Sequence, residues 1–322
     1  MLAKYRPDDP GSALVRVDGL AKRYAGSRGV AHVSLQLRRH EVLGFVGPNG
    51  AGKTTTLRML AGLIRPDSGT GCIVGRDVNV VERGSSRVGY MPQKLALYSE
   101  LSVADNLRFR ADIYCLSDPA ARVRRALVDF GLEDRRRQPA GQLSGGWARR
   151  LQLAAALIHS PDLVLLDEPT AGLDGESRED VWKRIQALAG AGAGVIVNTH
   201  DLLEAERCSR VALFRDGEIV TQGAPADICE AAPLRAALVQ CSDVNALRTA
   251  VASDAGLLTL EPHGRRLRIL TTVEGFDALC STLRAQGAMV TADETRLADV
   301  ALVNERTASQ KIGAVRSEGR TA

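Results

Sequence analysis

The 322-residue sequence contains no apolar run near the ~18–20 residues that a membrane-crossing helix needs. The stretch Leu153–Ile158 is far too short, so any membrane role has to pass through a partner. The six cysteines, Cys72, Cys115, Cys208, Cys229, Cys241 and Cys280, form no CxxC pair, which removes support for a zinc site and leaves idle thiols in a reducing compartment as the expectation. An excess of one charge is lacking too. Lys and Arg number 42 against 38 Asp and Glu, and the net +4 is too weak to argue for nucleic acid or anionic lipid. The opening MLAKYRPDDPG has no apolar core of the secretory kind, so no signal peptide is expected.

What is there suits a globular chain. Hydrophobic residues make up 45% and charged residues 25%, enough for a sizeable core, and the length suggests two folding units or one large unit with an appendage. Residues 1–12 read as a loose leader. Strands are predicted at Ala13–Val17, Ala31–Leu37, Val42–Val46, Leu163–Leu166 and Val195–Asn198. Helical spacing covers Lys53–Ala61, most of Leu101–Ile158 and Asp174–Ala189, and Asp216-Gly217 reads as a hairpin turn. This is an α/β pattern with a helical insertion, spanning 13–230, the insertion lying at about 94–160. From 233 to 305 the order strand, helix, strand, strand, helix, strand suits a small ferredoxin-like α+β module. The polar tail 306–322 is expected to be disordered.

Three local patterns carry chemistry. Gly47-Pro48-Asn49-Gly50-Ala51-Gly52-Lys53-Thr54 fits G-x-x-x-x-G-K-[ST] between a buried strand and a helix. Its glycines let backbone N–H groups face a phosphate, the helix N-terminus adds partial positive charge, Lys53 reaches the β- and γ-phosphates and Thr54 takes Mg²⁺. Next, Leu163–Leu166 ends in Asp167-Glu168, two carboxylates at the end of a strand where α/β sheets bind ligands. Asp167 suits a metal ion and Glu168 a general base. By itself such a pair is more often a cap or a solvated turn. Third, Leu143-Ser144-Gly145-Gly146-Trp147 opens a helix with Ser144 as N-cap and glycine N–H groups open to an anion, although by itself such a stretch reads more readily as a well-capped helix start.

Together and in this order, these elements resemble the nucleotide-binding domain of ABC ATPases over roughly residues 13–230. The resemblance implies a P-loop NTPase (RecA-like) core with an ABC helical subdomain, a small C-terminal α+β module following it. It implies ATP and Mg²⁺ as cofactors, held by Gly47, Pro48, Asn49, Gly50, Ala51, Gly52, Lys53, Thr54 and Thr55. Tyr24 matches the aromatic that stacks on adenine, and Gln93, after Gly89-Tyr90-Met91-Pro92, the Q-loop glutamine. Asp174 in Ala171-Gly172-Leu173-Asp174 matches the D-loop, and His200 after Asn198-Thr199 the switch histidine. Metal ligands on this likeness are Thr54, Gln93 and Asp167; Glu168, His200, Lys53 and Gln93 carry catalysis. Leu143–Trp147 is similar to the family signature, with Trp147 where glutamine is commoner, a substitution typical of exporter branches. Gly175 replaces a frequent proline. His159, before Ser160-Pro161, reads as structural.

With one phosphate loop and one signature per chain, the resemblance implies a head-to-tail dimer, homo- or heteromeric, in which Ser144, Gly145 and Gly146 of one subunit close over the other's ATP. It further implies a polytopic membrane permease as partner, docked against Met91–Leu107, and a peripheral place on the cytoplasmic face of the cell membrane, with export favoured. A soluble ABC ATPase acting on ribosomes or nucleic acid is the alternative. It usually carries two ABC domains or a long coiled coil, and the sequence has neither. A small-molecule kinase would explain the phosphate loop but not Leu143–Trp147 or His200.

Overall fold

The computed structural model describes residues 13–24, 27–80, 87–241, 244–251 and 256–304; the expected leader and tail lie outside them. The chain divides into two compact units, one running to Gln222 and one from Gly223, ahead of the 230–233 expected from the sequence.

The first unit contains strands β1 (Val15–Tyr24), β2 (Ser27–Leu37) and β3 (Val42–Val46), then helix α1 (Lys53–Leu60) and strands β4 (Ser68–Ile73), β5 (Arg76–Asp77) and β6 (Val88–Met91). Helices α2 (Val103–Ile113), α3 (Pro119–Asp129) and α4 (Gly145–Leu157) form the insertion. There follow β7 (Leu163–Asp167), α5 (Gly175–Gly190), β8 (Gly194–Asn198), α6 (Leu202–Ala205), β9 (Arg210–Arg215) and β10 (Glu218–Gly223). Ten strands make one sheet in the order β5-β4-β1-β2-β10-β9-β3-β8-β7-β6.

From β9 to β6 the pairings run parallel. Strands β3, β7 and β8 are buried at every residue, which is why they read as continuous apolar runs. At the other end, β1 pairs antiparallel with β2 and β4. Three register shifts after Val17 break the alternation of β1, so the sequence pattern stops at Val17 while the strand continues to Tyr24. Strand β4 escaped the sequence reading because SGTGCI has two glycines and a single large aliphatic residue. Between β9 and β10, Asp216 (φ 51°) and Gly217 (φ 88°) give the two positive φ values of a type I′ hairpin.

The second unit holds α7 (Pro225–Ala231), β11 (Leu234–Gln240), α8 (Val244–Val251), β12 (Leu257–His263), β13 (Arg266–Thr272), α9 (Val273–Ala285) and β14 (Met289–Asp293). From β11 the order is β-α-β-β-α-β, and the sheet order β12-β13-β11-β14 with antiparallel pairs is the ferredoxin-like arrangement. Val239, Leu247, Ile269, Leu279 and Leu283 form its core. Helix α9 starts at Val273 because the Thr272 hydroxyl accepts from the Gly275 N–H at 3.3 Å and caps it.

Candidate functional site

Parallel pairing decides which residues meet. Phe45 and Asp167 both lie opposite Asn198, and Met91 lies opposite Leu166. The segments leaving the carboxyl ends of β3, β6, β7 and β8 therefore share one rim. They bring Gly47–Thr55, Gln93, Asp167-Glu168 and His200, far apart in sequence, to one place.

The loop after β3 turns at Gly47 (φ 145°), where a Cβ would meet the Phe214 carbonyl oxygen at 2.2 Å, so no other residue fits without moving the chain. Gly52 (φ 99°) is the left-handed N-cap of α1. No side chain caps that helix and its first turn holds no acidic residue, so its positive end faces the loop uncompensated. Pro48, Asn49 and Gly50 are exposed, Ala51 is buried, and Thr55 is half-buried in the first turn. Lys53 is 5% exposed and bends back over the loop; its ammonium donates to the Gly47 and Pro48 carbonyls at 2.7 and 2.8 Å. Burial holds its pKa below the usual lysine value, while the Glu168 and Asp167 carboxylates oppose that shift.

Beside it, the Thr54 hydroxyl donates to Asp167 Oδ1 at 3.1 Å, and the Asn198 amide donates to the same oxygen at 2.5 Å. Asp167 Oδ2 is buried and has no hydrogen-bond partner. Burial raises the Asp167 pKa, the Asn198 and Thr54 hydrogen bonds offset part of this, and the Glu168 charge adds to it. A buried carboxylate with an unpartnered oxygen is a site short of positive charge.

Glu168 follows with φ 50°, a strained value for a residue with a Cβ, its N–H held by the Asn198 carbonyl at 2.9 Å. Its carboxylate is gripped from two sides. Gln93 Nε2 donates to Oε2 at 2.8 Å, and His200 Nδ1 lies 3.4 Å from Oε1. Tyr24 ends β1, 42% exposed. Gly29 of β2 separates it from the loop: a Cβ on Gly29 would touch the Tyr24 ring at 3.4 Å, and one on Gly52 would lie 3.2 Å from the Gly29 oxygen.

The remaining sequence candidates lie elsewhere. Ser144 is the N-cap residue of α4, but its hydroxyl makes no cap hydrogen bond; Gly145 has open space around it. Among the described residues, no hydrogen bond joins Ser144–Gly146 to the phosphate loop. Asp174 spends both carboxylate oxygens on the α5 cap, accepting from the Ser177 N–H at 2.8 Å and hydroxyl at 3.1 Å, which holds its pKa low. The guanidinium groups of Arg135 and Arg150 lie over the Trp147 ring, at 3.8 and 4.7 Å from its centre. His159 is structural: its Nε2–H donates to the Val88 carbonyl at 3.2 Å and its ring stacks on Tyr114. Asn198 was missed as a site residue. Its signal was one amide ending the otherwise apolar run of β8.

The sequence profile of a family described as "ABC transporter" matches residues 30–171. The Nod factor export ATP-binding protein I of Ralstonia nicotianae is 38% identical over 232 residues, covering 69% of this chain and 72% of that one. The chain belongs to the ATP-binding subunits of ABC transporters. This cassette is also 36% identical over 222 residues to the probable multidrug ABC transporter ATP-binding protein YbhF of Escherichia coli; the match covers 68% of the cassette and 38% of YbhF. Among solved structures, the ATP-binding subunit of an ABC transporter superposes with a TM-score of 0.60 at 29% identity, covering 67% of the cassette and 92% of that chain. A dimeric post-hydrolysis state of the ATP-binding cassette MJ0796, bound to ADP and Pi, gives 0.60 at 25% identity, covering 65% and 98%.

Proposed function

We propose that the chain binds and hydrolyses ATP to power a membrane transporter of the exporting kind. The observation that carries this reading is the Gln93–Glu168–His200 group held beside the Lys53 loop and the Thr54–Asp167–Asn198 cluster. The uncapped N-terminus of α1 and the glycine turns receive the phosphates, and Lys53 exchanges its two carbonyl partners for phosphate oxygens. Tyr24 offers its exposed face to the adenine. Glu168 takes the proton of the attacking water, oriented by Gln93, while His200 meets the γ-phosphate.

A magnesium ion fits the donor set, because Asp167 keeps Oδ2 unpartnered while its Oδ1 accepts from the Thr54 hydroxyl, and carboxylate and hydroxyl are both hard oxygen ligands. Thr54 and Asp167 would hold it, with Gln93 at its edge. When bound, it neutralises charge on the phosphates. The open Ser144 hydroxyl and the free surroundings of Gly145 suit a lid for a second subunit's ATP, and the dimeric cassette bound to ADP and Pi supports that reading. The partner subunit is a second copy or a related cassette.

Among the described residues no helix is long and apolar enough to cross a membrane. The transport path is therefore assigned to a polytopic permease, with this chain peripheral at the cytoplasmic face. Leu95 and Tyr98 are 51% and 50% exposed, and Tyr98 packs edge-on to Phe109, an apolar surface suited to that partner. Relatives named for Nod factor export and multidrug transport support the exporting direction. The test is twofold. The purified chain should hydrolyse ATP without added substrate, and an affinity-tagged chain should bring down a multi-span membrane protein. A slow, acceptor-dependent phosphate transfer, or a purely soluble set of partners, would overturn the reading.

A further inference from the structure

The Q-loop glutamine is held in place from the signature helix. Gln152, on α4, is 4% exposed, and burying an amide is costly unless every polar atom finds a partner. All three parts of its amide are used. Its Nε2 donates to the Pro92 carbonyl at 3.0 Å and to the Lys94 carbonyl at 2.9 Å, the carbonyls on either side of Gln93. Its Oε1 accepts from Arg149 Nη1 at 3.3 Å, which fixes the amide so that both N–H bonds face the Q-loop. Arg149 Nη1 also lies 3.5 Å from the Pro92 carbonyl, and its side chain feels the Asp167 and Glu168 carboxylates. Gln93 then reaches Glu168 Oε2 at 2.8 Å.

We propose that Gln152 is a positioning residue for hydrolysis, clamping the backbone around Gln93 to the helix that begins with Ser144. Gln152 touches neither nucleotide nor water. It acts through Gln93, and it ties the group that orients the attacking water to the helix whose first turn faces the partner subunit's ATP. A shift of α4 is thereby passed to the glutamine at the cassette's own carboxylate. The inference rests on the proposed hydrolytic role of Gln93 and Glu168.

The test is steady-state ATP turnover of the full chain with Gln152→Met, which keeps the volume and removes the donors, and Gln152→Asn, which keeps the amide but shortens its reach. Loss of positioning by about an ångström costs up to ~10²-fold, so Gln152→Met should lower kcat by about 10- to 100-fold and change KM by less than about twofold. Gln152→Asn, still able to reach one carbonyl, should recover part of that loss. In a Gln93→Ala background, Gln152→Met should have no further effect on kcat. Equal losses in the Gln93→Ala background and in the parent, or unchanged kcat with a lowered melting temperature, would make Gln152 a packing residue only. If Gln152→Met fails to fold, the Asn variant alone decides between these outcomes by the same double-mutant comparison. Failure of the ATPase reading itself is distinguishable, since the parent chain would then show no turnover for Gln93→Ala to reduce.

Discussion

At the scale of single residues, chemistry is concentrated where the backbone is held against its preference. Glu168 at φ 50° is placed by the Asn198 carbonyl on its N–H, and its carboxylate is shared between Gln93 and His200. Glu168→Gln keeps size and one acceptor oxygen but removes the proposed base, and should lower turnover by about 10²–10⁴-fold with ATP still bound; nucleotide binding by fluorescence alongside a phosphate-release assay checks both halves. Asn198 acts one step back. Its amide holds Asp167 Oδ1, which also accepts from Thr54, and Oδ2 stays open to the proposed metal ion. Removing a residue that orients a metal ligand costs about 10- to 100-fold in affinity, so Asn198→Ala should raise the Mg²⁺ concentration for half-maximal turnover by about that factor. A Mg²⁺ titration at saturating ATP reads it directly, and an unchanged midpoint would confine Asn198 to the sheet.

At the scale of elements, the segment between α4 and β7 holds a buried imidazole, His159, against Val88 of β6 and Tyr114 after α2. Burial pushes the His159 pKa down to about 4, the Arg110 charge adds to that, and the Val88 hydrogen bond opposes it. The unfolded chain takes this proton near pH 6.5, the folded chain only near 4. The stabilisation is therefore intact above about pH 7 and is lost progressively as pH falls from about 6.5 towards 4, amounting to about 3 kcal/mol in full. Thermal melts of parent and His159→Gln should diverge at pH 7.5 and converge on approach to pH 4; parallel curves would remove His159 from the acid limb.

The elements also show what a sequence can and cannot carry. Strands β3, β7 and β8 were legible because each is apolar on both faces. The glycine loop was legible because its residue types and spacing suit a phosphate cradle between a strand and a helix, whereas Asp167-Glu168 and Ser144–Trp147 gained meaning only beside it. Strands β4 and β6 were not legible: four of the six residues of β4 are glycine, serine or threonine, and β6 is four residues ending in a proline-bounded loop. The Gln152 clamp was also beyond reach, since a glutamine in a helix signals nothing until the carbonyls it meets, some 60 residues away, are placed. Nor could spacing foretell that Asp174 caps its own helix with both oxygens.

At the scale of the whole chain, two units with separate cores rest on different devices. Among the described residues of the second unit the buried cation is Arg268, which donates to Asp293 at 2.6 Å and to both oxygens of Asp299 at 2.7 and 2.8 Å; these pairs push its pKa further up. Arg268→Met leaves two carboxylates short of a partner and should cost about 3–5 kcal/mol, read as a lowered transition for that unit in calorimetry while ATP turnover by the first unit persists. Loss of turnover in step with that transition would mean that the units do not act independently.

The first unit carries one phosphate loop and one serine–glycine helix start, and in the proposed mechanism a second chain completes each ATP site. Sedimentation velocity of the Glu168→Gln variant, at micromolar concentration with Mg²⁺, tests this directly. A monomer without nucleotide that becomes a dimer with ATP is the predicted result, and Ser144→Arg should abolish the shift. A species that binds ATP yet sediments as a monomer throughout would contradict the two-chain site.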